Sequence, residues 1–367
     1  MSPPRLPPPP DLPLPPGSTI GILGGGQLGR MLALAAARLG FDVVVLEREA
    51  DSPAGRCAAK LIVADYGDEA ALAELAASTT LVTYEFENVP AASVAWLAAR
   101  GVEVAPGSRA LSIAQDRFEE KTFLNAHGAP TVAFAAASTP QEAIDAVAAI
   151  GVPALMKTRR EGYDGKGQHW VEHAPDAAAA FEALGGVPVI VEAAADFTRE
   201  LSIIAARGRD GATAIYPLAE NHHEHGILRR SVAPARASQT LSDQAQQVAT
   251  RILAGLAYVG VIGIELFEMA DGRLLVNEIA PRVHNTGHWT QDGCEVDQFE
   301  QHIRAIAGWP LGPTRATARV DMLNLLGEDA ERWANYAAEP ETRLHLYGKH
   351  GARPGRKMGH LNRVTPL

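Results

Sequence analysis

Short apolar segments alternate with alanine- and leucine-rich segments along the first 107 residues of the chain. The apolar segments read IGIL, DVVVLE, KLIVAD and TLVTYEF, and each has the length of one buried strand. Regular alternation of strands with helices is typical of an open, mostly parallel sheet covered by helices. The pattern therefore predicts an α/β domain at the N-terminal end of the chain.

The pattern changes from about Thr139, where strands begin to outnumber helices. Asp271-Gly272 lies between two apolar runs and predicts a β-hairpin there. From about Pro313 we expect only short polar segments and one or two strands. The segments between these points predict a helix in PQEAIDAVAAI, a strand ending at Lys157, strands in GQHWVEH, VPVIVEA and RELSIIAARG, and a helix over residues 243–256.

Composition narrows the class of protein. The 367 residues carry a net charge of −10, which argues against a nucleic-acid-binding surface. Cys57 and Cys294 are the two cysteines, so no disulfide framework is expected. Nine of the first 16 residues are proline, which predicts a disordered tail over residues 1–17. The tail has no apolar core like that of a signal peptide, so we expect a cytoplasmic protein.

A glycine-rich turn follows the first predicted strand. Gly24, Gly26 and Gly29 precede a predicted helix, and Glu47 ends the next strand 18 residues after Gly29. This order matches a dinucleotide-binding fingerprint, so an NAD-dependent oxidoreductase is one interpretation. The same helix N-terminus could instead bind another phosphate, such as the 5′-phosphate of a ribonucleotide held near Gln27.

Two acids on the predicted hairpin are candidates for binding a metal. With the turn between Ala270 and Asp271, Glu265 should oppose Val276, and Glu278 should be its diagonal neighbour on the same face. Carboxylates on a rigid hairpin suit Mg²⁺, which completes its shell with substrate phosphates. Alternatively, the two acids lie on a solvated strand face, although the flanking residues are largely apolar.

The loop RREGYDGKGQ, residues 159–168, follows the strand that ends in Lys157. Its glycines would let main-chain N–H groups approach a phosphate, although a surface loop is the simpler alternative. His222, His223 and His225 lack the repeated spacing of a zinc site. Near the C-terminus Lys349, Arg353, Arg356 and Lys357 form either an anion pocket or a solvated basic turn.

Several of these motifs carry a family resemblance. Lys157, GYDGKGQ, VEAAADFTRELS, the acidic hairpin and NEIAPRVHNTGHWTQ together resemble the ATP-grasp carboxylate–amine ligases. More narrowly, GGGQLGRM, YEFENVP, QDRFEEK, NEIAPRVHNTGHWT and RPGRKMGHLN resemble the ATP-dependent 5-(carboxyamino)imidazole ribonucleotide synthases within that family. The resemblance extends from about Ser18 to Asn362, in the same order along the chain.

The resemblance implies an α/β fold of the ATP-grasp type in three parts. A Rossmann-like domain with a parallel sheet would span residues 18–115, and an ATP-grasp domain with a small lid subdomain residues 116–312. A small β-rich domain would span residues 313–367. It further implies a homodimer, and small-molecule partners rather than nucleic acid or membrane.

The resemblance also implies a reaction in de novo purine biosynthesis. ATP would phosphorylate bicarbonate to carboxyphosphate, with two Mg²⁺ ions and without NAD. The exocyclic amine of 5-aminoimidazole ribonucleotide would then capture the carboxyl group, directly or after release of carbon dioxide, leaving ADP and phosphate. Catalysis of phosphoryl transfer consists mainly of positioning and charge neutralisation.

Each expected role falls on matching positions of this sequence. The metal ligands would be Glu265 and Glu278. Ala193–Ala195 stand where the family often has glycine, so contacts with adenine there would use the main chain. His223 is preferred to His222 for its distance from Tyr216-Pro217. The ATP set is Arg117, Lys157, Gly162, Tyr163, Asp164, Gly165, Lys166, Gly167, Gln168, Glu192, Ala193, Ala194, Ala195, Glu200, His223, Asn277 and Glu278. The ribonucleotide set is Gln27, Leu28, Glu85, Lys349 and Arg356, and the catalytic set is Tyr163, Asp164, Arg282, His284 and Asn285.

Three other interpretations remain open from the sequence. An NAD-dependent oxidoreductase would leave the acidic hairpin, the GYDGKGQ loop and the basic C-terminal cluster without a role. A related ATP-grasp enzyme could formylate or ligate a different ribonucleotide, although HNTGHWT and RPGRKMGHLN favour the carboxyamino synthase. A non-catalytic nucleotide sensor would have no use for both candidate metal ligands.

Overall fold

The computed structural model describes residues 12–162 and 167–367. Residues 1–11 of the predicted tail lie outside this range, as do Tyr163, Asp164, Gly165 and Lys166 of the predicted ATP loop. The described residues form three β-sheets with helices packed around them. None of the described helices is both long enough and apolar enough to cross a membrane.

A four-stranded parallel sheet forms the N-terminal region. Its strand order is β3-β2-β1-β4, and the central strand β1 is buried because helices cover both faces of the sheet. This confirms the parallel sheet that the alternating apolar segments predict. The elements are β1 (Thr19–Leu23), α1 (Gln27–Arg38), β2 (Asp42–Glu47), β3 (Lys60–Val63), α2 (Glu69–Ser78), β4 (Leu81–Tyr84) and α3 (Ala91–Ala99).

Two helices then lead into a small antiparallel sheet of order β5-β8-β6-β7. The second helix, α5, begins after Asp116, whose carboxylate accepts hydrogen bonds from the main-chain N–H groups of Phe118 and Glu119. The elements are α4 (Ser108–Ala114), α5 (Arg117–Ala126), β5 (Phe134–Ala137), α6 (Pro140–Ile150), β6 (Ala154–Thr158), β7 (Gln168–Val171), α7 (Ala177–Ala183) and β8 (Val189–Ala193).

The remaining strands form one nine-stranded sheet of order β14-β13-β9-β11-β12-β15-β17-β16, with β10 paired to β9. Strand β12 pairs with β15, so the C-terminal strands continue the central sheet. The elements are β9 (Phe197–Arg207), β10 (Thr213–Ile215), β11 (Ala219–Glu224), β12 (Ile227–Ala233), α8 (Gln239–Gly255), β13 (Gly260–Met269), β14 (Leu274–Ala280), α9 (Thr290–Gly293), α10 (Gln298–Ile306), β15 (Ala318–Leu326), α11 (Trp333–Ala337), β16 (Thr342–Leu346) and β17 (Lys357–Pro366).

Residues 12–17 differ from the predicted disordered tail. Leu14 is buried at 2% exposure in the same apolar cluster as α1 and α10. Its N–H donates to the carbonyl of Ala307 at 2.9 Å, and its carbonyl accepts from the indole N–H of Trp309 at 2.8 Å. An extended backbone leaves its hydrogen-bonding groups free, so one apolar side chain is enough to dock this segment.

Candidate active site

The two predicted metal ligands face each other on the hairpin of β13 and β14. Glu265 pairs directly with Glu278, whereas Leu266 pairs with Val276, so Asn277 is an extra residue in a β-bulge. The expected pairing of Glu265 with Val276 was therefore wrong by two residues. The register set at the turn places Leu266 opposite Val276, and the bulge adds one more residue before Glu278. Both glutamates line a cavity of about 440 Å³.

The electrostatics of this pair suit a divalent cation. Burial and the neighbouring charge of Glu278 raise the pKa of Glu265 to about 7. Despite burial, Arg117 lowers the pKa of Glu278 to about 2, and its guanidinium donates to Glu278 at 2.9 Å. No group of three or more His, Cys, Asp or Glu side chains in the described ranges could hold a metal. Two carboxylates therefore fit Mg²⁺ that shares its shell with phosphates, rather than a metal enclosed by protein.

Two predicted ATP contacts, Arg117 and Lys157, line the cavity. Arg117 connects Glu278 to the loop of residues 159–168, because its second guanidinium nitrogen donates to the carbonyl of Gly162 at 2.9 Å. Lys157 donates to Glu192 at 2.8 Å, and Glu192 also lies 3.5 Å from the ammonium of Lys121. The cavity that holds the carboxylate pair is therefore also lined by two positively charged side chains.

The lining of the cavity also combines apolar and polar side chains. Leu155 and Phe267 contribute apolar surface. Glu200 contacts the imidazole of His223, and although burial opposes the charged form, this contact raises the pKa of His223. Further lining residues predicted from the sequence are Gly162 and Gln168.

Ala193–Ala195 do not line this cavity. The N–H groups of Ala193 and Ala194 already donate to the carbonyls of Ala133 and Pro153, at 2.9 and 3.4 Å. In the predicted loop, the carbonyl of Gly167 accepts a hydrogen bond from the N–H of Thr158 at 2.9 Å. Main-chain contacts with adenine at Ala193 and Ala194 would therefore have to use carbonyl groups.

The segment after β14 brings Arg282, His284 and Asn285 to the same cavity. Arg282 forms an ion pair with Glu87, which raises its pKa although burial works against its charge. Burial and the charge of Arg282 lower the pKa of His284 to about 3, so its imidazole is neutral at pH 7. The amide of Asn285 is fixed by two hydrogen bonds with Asn324, at 3.0 and 2.6 Å.

Two glutamates of the protein accept hydrogen bonds from the main-chain N–H groups of the glycine-rich turn at residues 24–29. Glu85 accepts hydrogen bonds from the N–H groups of Gly26 and Gly29, each at 2.7 Å. Glu47 accepts from the N–H of Gly25 at 2.5 Å. Carboxylates of the protein therefore satisfy these amides, and a phosphate near Gln27 stays a prediction. Gln27 and Leu28, just beyond the loop, do line the cavity.

The basic C-terminal cluster lies beside the glycine loop. Lys349 donates to the carbonyl of Lys357 at 3.0 Å. Burial and the nearby charge of Arg356 lower the pKa of Lys349 to about 8, while Glu85 acts in the opposite direction. Lys349 and Arg356 do not line the 440 Å³ cavity, but Lys357 does.

Sequence reasoning missed Glu87, and it named Lys357 only in the basic C-terminal cluster and not in the ribonucleotide set, whereas both residues line the cavity. Glu87 is the second acid of YEFENVP, two residues after the predicted Glu85. Lys357 follows the predicted Arg356 and begins β17. When a family motif contains two acids or two bases close together, both are therefore candidate site residues.

Three family models match successive parts of the chain. A ribonucleotide synthetase preATP-grasp domain matches residues 18–115, and an ATP-grasp domain matches residues 122–299. A phosphoribosylaminoimidazole carboxylase C-terminal domain matches residues 321–366.

Relatives match nearly the whole chain. The N5-carboxyaminoimidazole ribonucleotide synthase of Brucella melitensis is 50% identical over 355 residues, covering 96% of this chain and 98% of its own. The Staphylococcus aureus synthetase complexed with ADP is 36% identical with a TM-score of 0.91, covering 96% of this chain and 94% of its own. The Aspergillus clavatus synthase in complex with ADP and 5-aminoimidazole ribonucleotide is 32% identical with a TM-score of 0.90, covering 96% and 95%.

The fold and the matched domains define an ATP-grasp ligase, which confirms the predicted fold class. More narrowly, the chain belongs to the N5-carboxyaminoimidazole ribonucleotide synthase family of purine biosynthesis. The family resemblance noted in the sequence is confirmed, and the oxidoreductase interpretation is set aside.

Proposed function

We propose that the chain carboxylates the exocyclic amine of 5-aminoimidazole ribonucleotide with ATP and bicarbonate, via carboxyphosphate. The observation that carries the proposal is the meeting of three groups around one cavity. These groups are the Glu265–Glu278 pair with Arg117, the segment 282–285, and Gln27 of the N-terminal domain. A phosphate donor, an anion and a ribonucleotide can thus be brought together.

We assign the phosphate-binding end to Arg117 and Lys157. Each carries its positive charge into the cavity next to a carboxylate, and each could exchange that partner for a phosphate oxygen. Mg²⁺ bound between Glu265 and Glu278 would neutralise phosphate charge. Asn277 and Gly162 line the same cavity.

We assign the binding of bicarbonate to Arg282, His284 and Asn285. Arg282 would supply the positive charge, since His284 is neutral at pH 7. A bicarbonate oxygen would attack the γ-phosphorus, and the bond to ADP would break. The amine nitrogen would then attack the carboxyl carbon, the carbon–oxygen bond to phosphate would break, and the amine would lose a proton.

We assign the ribonucleotide to Gln27, Leu28 and the C-terminal bases Lys349 and Arg356. Glu85 would accept from ribose hydroxyl groups while it closes the glycine loop, since a carboxylate has about four acceptor positions. Because Glu85 occupies the loop amides, the 5′-phosphate would be bound by the bases instead. The contributions of Tyr163 and Asp164 as lid contacts, a homodimer, a second Mg²⁺ ion and a cytoplasmic location stay predictions.

The test is release of ADP by the purified protein. We expect turnover that requires 5-aminoimidazole ribonucleotide, bicarbonate and Mg²⁺ together, and that falls to background when any one is omitted. Equal ADP release without the ribonucleotide, or turnover only with a different ribonucleotide from a substrate panel, would contradict the proposal.

A further inference from the structure

The bulge in β14 gives two consecutive residues access to one cavity. Neighbouring side chains of a regular strand face opposite sides of the sheet. Asn277 and Glu278 nevertheless both line the cavity, because the two residues together oppose Glu265. The amide of Asn277 lies 3.4 Å from the carboxylate of Glu265. The bulge is therefore what assembles this side of the site.

The outer side of β14 has main-chain groups without strand partners. Strand β14 is at the edge of the nine-stranded sheet, and within the described residues no further strand pairs with this side. A buried main-chain group without a hydrogen bond costs about 1–3 kcal/mol. A bulge at an uncovered edge would thus be prone to rearrange into regular pairing, which would turn Asn277 or Glu278 away from the cavity.

Helix α5 supplies the missing partners from two adjacent side chains. Glu120 accepts a hydrogen bond from the N–H of Ile279 at 2.6 Å. Lys121 donates from its ammonium to the carbonyl of Asn277 at 3.0 Å. The two contacts lie on either side of Glu278 and fix the path of the backbone through the bulge.

The burial of these two side chains is costly. Besides its main-chain contact, Lys121 lies 3.5 Å from the carboxylate of Glu192, but that contact involves neither Glu120 nor the bulge. Glu120 and Lys121 are each only 2% exposed. Charged groups removed from water cost several kcal/mol unless they are well paired, and apolar residues of similar size are often at least as stable there. A purely structural helix–sheet contact would be served as well by leucine or methionine.

We propose that Glu120 and Lys121 are positioning residues that hold the bulge at Asn277, so that Asn277 and Glu278 both face the nucleotide and its metal. The inference rests on the proposed function for the roles of those two residues. Neither Glu120 nor Lys121 touches the reacting groups. Their effect is transmitted through the backbone of residues 277–279.

The test compares substitutions of Glu120 that differ in their ability to accept the Ile279 N–H. Glu120→Gln retains an acceptor of the same length, whereas Glu120→Leu has none. Glu120→Asp keeps the charge but is one methylene shorter. The matched control is Glu119→Leu on the same helix, because the Glu119 side chain is 57% exposed and its nearest ion-pair partner is Arg159 at 3.8 Å.

The main readout is ADP affinity by calorimetry, with and without Mg²⁺, beside a thermal melt of each variant. In Glu120→Leu and Glu120→Asp we expect the Mg²⁺-dependent gain in ADP affinity to fall by about tenfold, the effect of one lost buried hydrogen bond. Glu120→Gln and Glu119→Leu should stay close to the wild type. In steady state, kcat should fall while the KM for the ribonucleotide is unchanged.

Two results would overturn the inference. One is a folded Glu120→Leu or Glu120→Asp variant in which Mg²⁺ raises the affinity for ADP as much as it does in the wild type. The other is a Glu120→Gln variant that loses as much as Glu120→Leu, since charge rather than positioning would then be responsible. If Glu120→Leu does not fold, Glu120→Asp and Glu120→Gln decide the question. Failure of the proposed function would appear separately, as a wild-type protein that binds Mg²⁺ and ADP but does not turn over the ribonucleotide.

Discussion

The affinity for the ribonucleotide should fall as the pH rises above 8, if Lys349 binds its 5′-phosphate. Burial and the charge of Arg356 lower the pKa of the Lys349 ammonium to about 8. The free enzyme therefore loses this positive charge in a range where an ordinary lysine keeps it. A bound phosphate opposes that loss, so binding at higher pH must first restore the proton.

The size of the effect follows from this pKa. The ammonium is charged in about nine-tenths of the molecules at pH 7 and in about one-tenth at pH 9. The KM for the ribonucleotide should therefore rise about tenfold, or about 1.4 kcal/mol, between these pH values. The substrate phosphate contributes no change of its own, since its second pKa is about 6.

The assay is the initial rate of ADP release at saturating ATP and bicarbonate, measured with increasing ribonucleotide from pH 7 to pH 9. Lys349→Arg keeps its charge throughout, so its KM for the ribonucleotide should not change with pH. Lys349→Met has no charge to lose, so its KM should be higher and equally independent of pH. The KM for ATP serves as the internal control. A flat wild-type profile would refute the assignment, as would an equal rise in Lys349→Arg.

Four further outcomes follow from contacts in the structure. Glu278→Gln should lose more than about 99% of kcat while the protein still folds, as judged by a cooperative thermal melt, because a charged ligand is replaced by a neutral one of the same shape. Glu87→Gln should raise the KM for bicarbonate about tenfold and leave the KM for ATP unchanged, since Arg282 loses the carboxylate that orients its guanidinium. Leu14→Ala should lower the free energy of unfolding by about 2–3 kcal/mol in urea titrations. Burial lowers the pKa of His302 to about 3, so the unfolded chain binds the extra proton below pH 6.5, and stability should fall by about 2 kcal/mol from pH 7 to pH 5 on its account.

The hairpin illustrates what could be predicted from the sequence. Two apolar runs around Asp271-Gly272 were enough to place Glu265 and Glu278 on adjacent strands, facing the same side. The pairing itself could not be counted from the turn, because a bulge changes the register by one residue without altering the hydrophobic pattern. The bulge is what gives Asn277 access to the cavity beside Glu278.

The anion bound at the glycine-rich turn of residues 24–29 could not be predicted from the sequence, for a different reason. The spacing correctly predicted a strand, a turn and a helix. However, amide N–H groups at a helix N-terminus can donate to any anion, including a carboxylate from a residue distant in sequence. Glu85 lies 59 residues beyond Gly26, and only the pairing of β1 with β4 brings the two together. Likewise, pairing of β12 with β15 joins the C-terminal strands to the central sheet, which no local pattern could indicate.

The transfer of oxygen from bicarbonate to phosphate tests the central claim most directly. If a bicarbonate oxygen attacks the γ-phosphorus, one oxygen atom of ¹⁸O-bicarbonate must leave with phosphate when the amine captures the carboxyl carbon. We predict one ¹⁸O atom in each phosphate released, detected by the ³¹P isotope shift, in reactions that contain ATP and 5-aminoimidazole ribonucleotide. Phosphate without ¹⁸O during turnover would contradict activation of bicarbonate in this cavity.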